Sequence, residues 1–293
     1  MAKQIVLVTP DTDTSDATFR ATFSPISTAL QALFVKVTQA GEIDWGTVTK
    51  PSSGNSAAGF EVYRFNDAMQ ATAPIFFKIE YGSGAAIQFP AIWLTVGKGA
   101  DGAGNITSVL LPRALAIVPG YGPTLTAKNC YVGNGDGSCL VMSLFPSDAA
   151  FQASSGSVLI LERSRDSNGN ATGDGIHRQY SANVSSNTTD AVDYVTGNKN
   201  TTEAGCVPIP YTCASGVSLS NGVNTPIFTG MVMTPARASW VPTAIVGCAQ
   251  AEFGVGVVAS ALVNGIDYLA LGAASAYADM TSQQYSASLL RWD

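Results

Sequence analysis

The chain has 293 residues, of which 15 are Lys or Arg and 21 are Asp or Glu, for a formal net charge of −6. Charged residues make up only 12% of it, about half of what an ordinary soluble domain carries, too few for a solvating disordered tail or a coiled coil. The acidic balance and the absence of any basic cluster argue against nucleic acid as a partner, while 46% apolar residues over this length can fill two cores or one large β domain.

Gln4 to Thr9 reads as a short strand. Its apolar run, Ile5 to Val8, is too brief for a secretory signal, so synthesis in the cytoplasm is expected. Ser24 reads as an N-cap with Pro25 at the first helical position, and Ile26, Ala29, Leu30, Leu33, Phe34 and Val37 then recur at helical spacing, predicting a helix over 25–38 that ends by Gly41. From Gly59, Phe60, Val62 and Phe65 alternate with Glu61, Tyr63 and Arg64 as in a half-buried strand, with the second set facing outward. Asn66 is placed to cap a short helix through Ala71, Pro74 to end it, and Ile75 to Tyr81 and Ala91 to Val96 to form two more strands. Gly97-Lys98-Gly99-Ala100-Asp101-Gly102 has dinucleotide-fingerprint spacing, but no helix follows, so it reads as a hairpin loop.

These pieces predict an α+β module over 1–112. The Pro/Gly-rich stretch 113–124 reads as a linker, and 125–293 as a β-sandwich-like or jelly-roll-like domain with short strands such as Cys139 to Phe145, Ser157 to Leu161, Ile227 to Met233 and Ala244 to Cys248. The polar segment 166–204 reads as long surface loops. The fold class expected is mainly β. No run reaches the roughly 18–20 apolar residues of a membrane helix, so no membrane insertion is expected.

No catalytic or cofactor-binding residues are assigned. The one histidine, His177, reads as a solvated loop residue, so no Ser-His-Asp or Cys-His set is expected. Glu61, Glu80, Glu162 and Glu252 read as surface positions of strands rather than as a hydrolytic pair. Asp166, Asn168, Asn170 and Asp174 have calcium-loop spacing, but Ala171 and His177 stand where that loop uses Gly and Glu, so they form a weak calcium candidate and no metal is expected. Five cysteines make free thiols the plain reading, with Cys206–Cys213 and Cys130–Cys139 as the candidate disulfides. Tyr180 and Tyr194 are the candidate glycan-stacking residues, with Tyr211, Trp240 and Tyr285 in the same aromatic set.

The stretch from Gly59-Phe-Glu-Val-Tyr-Arg-Phe-Asn-Asp through Ala73-Pro-Ile-Phe-Phe-Lys-Ile-Glu-Tyr-Gly-Ser-Gly84, followed by Trp93-Leu-Thr-Val-Gly-Lys-Gly-Ala-Asp-Gly-Ala-Gly-Asn105, resembles virion structural proteins of tailed bacteriophages. The resemblance implies a non-enzymatic assembly role in the tail, neck or baseplate, with copies of the chain and other virion proteins as partners and the virion as its location. It brings no catalytic residues. A receptor-binding module for host cell-surface glycan is the alternative.

Overall fold

The computed structural model describes residues 2–8, 15–84, 90–117, 128–135, 137–146, 157–166, 170–181, 187–194 and 199–201, and beyond them the short strands named below. Phe19, Phe23, Ile26, Leu30 and Leu33 recur at alternating steps of four and three, which lays one apolar stripe along a helix. The whole stripe is buried, and the helix that carries it, α1, runs Asp16–Leu33. It therefore starts well before the expected Ser24–Pro25 cap. Ser15 is the N-cap, its Oγ accepting the Thr18 N–H at 3.2 Å, and Asp16 sets a negative charge in the first turn.

Pro25 lies inside the helix, where it forfeits a backbone bond at a cost of about 3 kcal/mol. Burying Phe19 and Phe23 is worth about 1.5–3 kcal/mol each, which together matches or exceeds that cost. The helix also stops earlier than expected: the Phe34 N–H closes it on the Leu30 carbonyl at 2.8 Å, and the β-branched Val35 and Val37 continue in extended chain.

Five antiparallel strands follow in sequence order in one sheet: β2 (Val35–Lys36), β3 (Ser56–Arg64), β4 (Phe76–Ser83), β5 (Pro90–Ala100) and β6 (Ile106–Ile117), after β1 (Ala2–Val8). Between β3 and β4 the predicted short helix is a 3-10 turn, Ala68–Ala71, with Asp67 rather than Asn66 at its N-cap. β6 runs through Pro112 and Arg113, so the first residues of the expected linker are strand. As an edge strand, β6 tolerates a proline that lacks a ladder donor. Residues 118–124 of that linker lie outside the described set.

The second sheet has seven strands in the order β1, β7 (Lys128–Asn134), β8 (Cys139–Pro146), β9 (Ser157–Arg165), β10 (Ala171–Ser181), β11 (Asn187–Asp193) and β12 (Lys199–Thr201), all antiparallel. β1 pairs residue for residue with β7, from Ala2 opposite Asn134 to Val8 opposite Lys128. The first strand of the chain thus completes the sheet that the later residues build. Residues 166–204, expected as loops, hold β10, β11 and β12. Their polarity is misleading because several polar side chains point inward: His177, Arg178 and Asp193 are buried beside Ile176 and Val192.

Two smaller sheets lie further along. One has β13 (Cys206–Val207), β15 (Met231–Thr234) and β16 (Arg237–Trp240). The other has β14 (Ile227–Phe228), β17 (Ile245–Cys248), β20 (Ala287–Arg291), β19 (Asp267–Ala273) and β18 (Val258–Ser260). The chain is therefore mainly β, with a small α+β start followed by a β-rich region.

A single apolar cluster joins the helix to both large sheets. It runs from Phe19, Phe23 and Leu30 through Tyr63, Phe77 and Leu94 to Cys130, Met142, Leu161 and Val192. Aromatic edges set the helix on the first sheet, with ring centroids 5.6 Å apart for Phe23–Tyr81 and 5.2 Å for Phe34–Phe77. Directional bonds lock the two sheets around this cluster. Arg163 of β9 grips Asp67 through Nε at 2.6 Å and Nη2 at 3.2 Å, and donates to the Ala73 carbonyl at 2.7 Å. Arg178 donates to the Pro112 carbonyl at 3.1 Å, and Asn134 Nδ2 to the Leu33 carbonyl at 2.6 Å.

A hairpin is present, but the loop expected over 97–102 is displaced: Gly97 to Ala100 continue β5, and the turn falls at 101–105. Asp101 Oδ1 accepts the backbone N–H of Ala103 and Asn105, and its Oδ2 accepts Asn105 Nδ2 at 2.7 Å. These bonds hold the exposed Asp101 carboxyl below its usual range. Gly104 has φ +90° and lies flat against the Phe60 ring, where a Cβ would collide with it. Gly104→Ala is expected to destabilise the fold by about 1–3 kcal/mol, from the left-handed backbone and the displaced ring, read as a lower urea midpoint.

Candidate functional site

The most organised polar site grows from Glu61 in the middle of β3. Strand alternation puts Glu61 and Tyr63 on the face that packs against α1, opposite to the expectation, and both are wholly buried. Ser27 and Gln31, four residues apart on α1, present their polar groups to the same point. Glu61 Oε1 accepts Ser27 Oγ at 3.0 Å, Gln31 Nε2 at 2.8 Å and Lys36 Nζ at 3.1 Å. Its Oε2 accepts the Tyr63 and Tyr81 hydroxyls, each at 2.8 Å. A second layer fixes these donors: the Trp45 indole N–H reaches Ser27 Oγ at 3.0 Å, and Lys36 bridges on to Glu42 at 3.0 Å.

The electrostatics follow from this packing. Burial pushes the Tyr63 and Tyr81 hydroxyls well up, and the neighbouring Glu61 charge adds to it, so both stay protonated donors. Partial burial opposes the Lys36 charge, but bonds to Glu42 and Glu61 outweigh it and hold the ammonium above its usual value. With both carboxylate oxygens occupied by five donors, Glu61 is built as a structural acceptor; a proton-abstracting base needs an open lone pair toward a substrate.

A second polar row crosses the seven-stranded sheet. Cys139 of β8 and His177 of β10 both stand opposite Glu162 of β9, so the three share one face. All are buried, which corrects the surface reading of Glu162 and the solvated-loop reading of His177. Arg165 Nε donates to Glu162 Oε1 at 2.7 Å, and its Nη2 to Ser138 Oγ at 3.1 Å. Because Glu162 stands between them, Cys139 and His177 are two strand spacings apart, about 9–10 Å, which is too far for a thiol–imidazole pair.

The other candidates resolve as follows. Asp166 and Asn170 close the β9–β10 turn: Asp166 Oδ1 accepts the Asn170 N–H at 2.9 Å and Oδ2 accepts Asn170 Nδ2 at 3.1 Å. This repeats the Asp101–Asn105 turn, and both loops read Asp-x-x-Gly-Asn. Asp174, within β10, takes the Tyr194 N–H on its backbone carbonyl at 2.8 Å, while Asn168 lies outside the described residues. Among the described residues no three His, Cys, Asp or Glu side chains gather as a metal set.

Cys130 and Cys139 form no disulfide with each other, so that candidate pairing is not made. Cys130 lies opposite Leu144 in the shared core, and Cys139 points to the other face at the far end of the hairpin. Cys206 is in β13; Cys213 lies outside the described set. Tyr194 lies under Lys98, whose Nζ sits 4.0 Å from the ring centroid and donates to the Tyr194 carbonyl at 2.7 Å, so its half-buried ring packs against the chain itself. Tyr180 is in β10, with its side chain outside the described set, as are Glu252, Tyr211 and Tyr285; Trp240 is in β16 opposite Val232. Glu80 pairs with Arg113 at 2.9 Å, and the Arg113 guanidinium covers the Trp93 ring. No helix among the described residues is long and apolar enough to cross a membrane.

Sequence reasoning missed the Glu61 network. The usable signal was the Ser27/Gln31 pair beside an apolar helix stripe, matched by a Glu-x-Tyr step on a strand. No known protein-family model matches the chain, and no curated protein is similar to it.

Glu61→Ala, which strands the buried hydroxyls of Ser27, Tyr63 and Tyr81 together with the Lys36 ammonium, is expected to cost about 3–5 kcal/mol of unfolding free energy by urea titration. Because the folded value of Lys36 is raised, its stabilising contribution is complete below the unfolded value of about 10.4 and is lost as pH rises through the folded value. Lys36→Met should therefore flatten the fall in stability on the alkaline side. The Cys130 thiol, pushed up to about 12 by burial, should resist iodoacetamide at neutral pH in the native protein and react on unfolding.

Proposed function

We propose that this chain is a non-enzymatic structural component of a tailed-bacteriophage particle, assembling with copies of itself and with other virion proteins in the tail, neck or baseplate region. The observation that carries the reading is where the phage-like residues fall. Residues 59–84 supply Glu61, Tyr63 and Tyr81 of the carboxylate network and Asp67 of the Arg163 clamp, and 93–105 supply the self-closed turn. The likeness thus lies in positions that set the geometry of the module, which supports a shared framework rather than a chance match of surface composition.

The described acidic clusters suit a scaffold, since Glu61, Asp67 and Glu162 each hold donors of the chain itself. A chain with 12% charged residues also fits surfaces that end against other subunits, where charge is depleted. In a ring or helical array each such contact is repeated, so modest interfaces add up.

Light scattering of the purified full chain at rising concentration is expected to give discrete multimers, and electron microscopy of the same samples to give rings or tubes. A chain that stays single at every concentration would overturn the proposal, and sugar binding in a glycan screen would then favour an adhesion module.

A further inference from the structure

We propose that β1 is exchanged between copies of this chain when they assemble, each copy laying its Ala2–Val8 strand along β7 of a neighbour; this rests on the assembly reading above. Within one chain β1 stands at the end of the seven-stranded sheet and, among the described strands, pairs with β7 alone. Seven consecutive residue pairs run without a register shift, so a neighbour's β1 makes the same ladder bonds as the chain's own. Exchange leaves the contacts unchanged and alters only which chain supplies them.

The connection is suited to it. The residues between β1 and the Ser15 cap of α1 are Thr9-Pro-Asp-Thr-Asp-Thr14, polar apart from one proline. Pro10 has no N–H to add to a ladder. Six residues reach up to about 20 Å when extended, enough to cross to an abutting copy. In an array, a tethered neighbouring strand has an effective concentration on the order of millimolar, so exchange competes with closure. The site also demands an occupant: Cys130 and Val132 of β7 are wholly buried members of the core, and an empty edge would uncover them.

The register supplies its own test, because Val6 stands directly opposite the native Cys130. Opposed residues of an antiparallel pair lie about 4.5–5.5 Å apart between Cα atoms, within disulfide range. Full-length Val6→Cys chains, isotopically light and heavy, are mixed in urea, refolded and concentrated in a glutathione redox buffer, sized by light scattering, and mapped by mass spectrometry. Leu7→Cys with Asn129→Cys, the adjacent pair, serves as the second variant should the first not fold. Multimers in which the cross-link joins light to heavy chains are the expected result. Multimers whose cross-links all lie within one chain, or that form none with either variant, overturn exchange and leave assembly standing. Chains that remain single at every concentration overturn both.

Discussion

A carboxylate set inside an apolar core is tolerated only if its oxygens are supplied with donors, since an uncompensated buried charge costs several kcal/mol. Glu61 states that requirement in the middle of the first sheet, and the donors come from four different elements: Ser27 and Gln31 from α1, Lys36 from β2, Tyr63 from β3 and Tyr81 from β4. Apolar packing alone would let the helix roll or slide on the sheet with small loss. Five hydrogen bonds converging on two oxygens do not, so one side chain fixes the rotation of α1 about its axis and the placement of β2 beside β3. Trp45, bonded to Ser27 and packed edge-on against Tyr81 at 5.0 Å between centroids, carries the same constraint into the segment after β2.

The two large sheets are joined by the same logic. The chain has few charges, and two of its arginines sit where direction matters: Arg163 holds Asp67 and the Ala73 carbonyl beside the Phe65 ring, and Arg178 reaches the Pro112 carbonyl on β6. A guanidinium has fixed donor geometry, so each contact specifies orientation as well as proximity. The shared apolar cluster supplies the bulk of the attraction, and the arginines select one arrangement of the sheets from those that would bury similar area.

Much of the layout was legible in the chain. Strands at Ile75–Tyr81, Ala91–Val96, Cys139–Phe145 and Ser157–Leu161 followed from apolar runs between turn residues, and the Gly-rich stretch 97–102 was readable as part of a hairpin because no helix followed it, although its first four residues prolong β5. The errors share one cause: local chemistry was decided by distant partners. Ser24–Pro25 is a good helix start taken alone, yet the Phe19–Phe23 part of the stripe lay upstream and found a sheet to bury it. Glu61 and Tyr63 alternate correctly, but nothing near them in sequence shows that Ser27 and Gln31 await them. His177 and Arg178 made β10 look solvated because inward positions carry polar groups, and the carbonyl that receives Arg178 sits far away in the chain, at Pro112 on β6.

The order of the strands has a consequence for the time course of synthesis. In both large sheets every pairing joins strands adjacent in the chain, with the single exception of β1 and β7, whose residues are about 120–132 positions apart by the register from Val8–Lys128 to Ala2–Asn134. The five-stranded sheet can zip hairpin by hairpin as it leaves the ribosome, its closures being short. β1 emerges first and waits for its partner until β7 is made, a delay on the order of ten seconds at ordinary translation rates. For that interval the β1 residues of each nascent chain lack the ladder partner that makes them a strand.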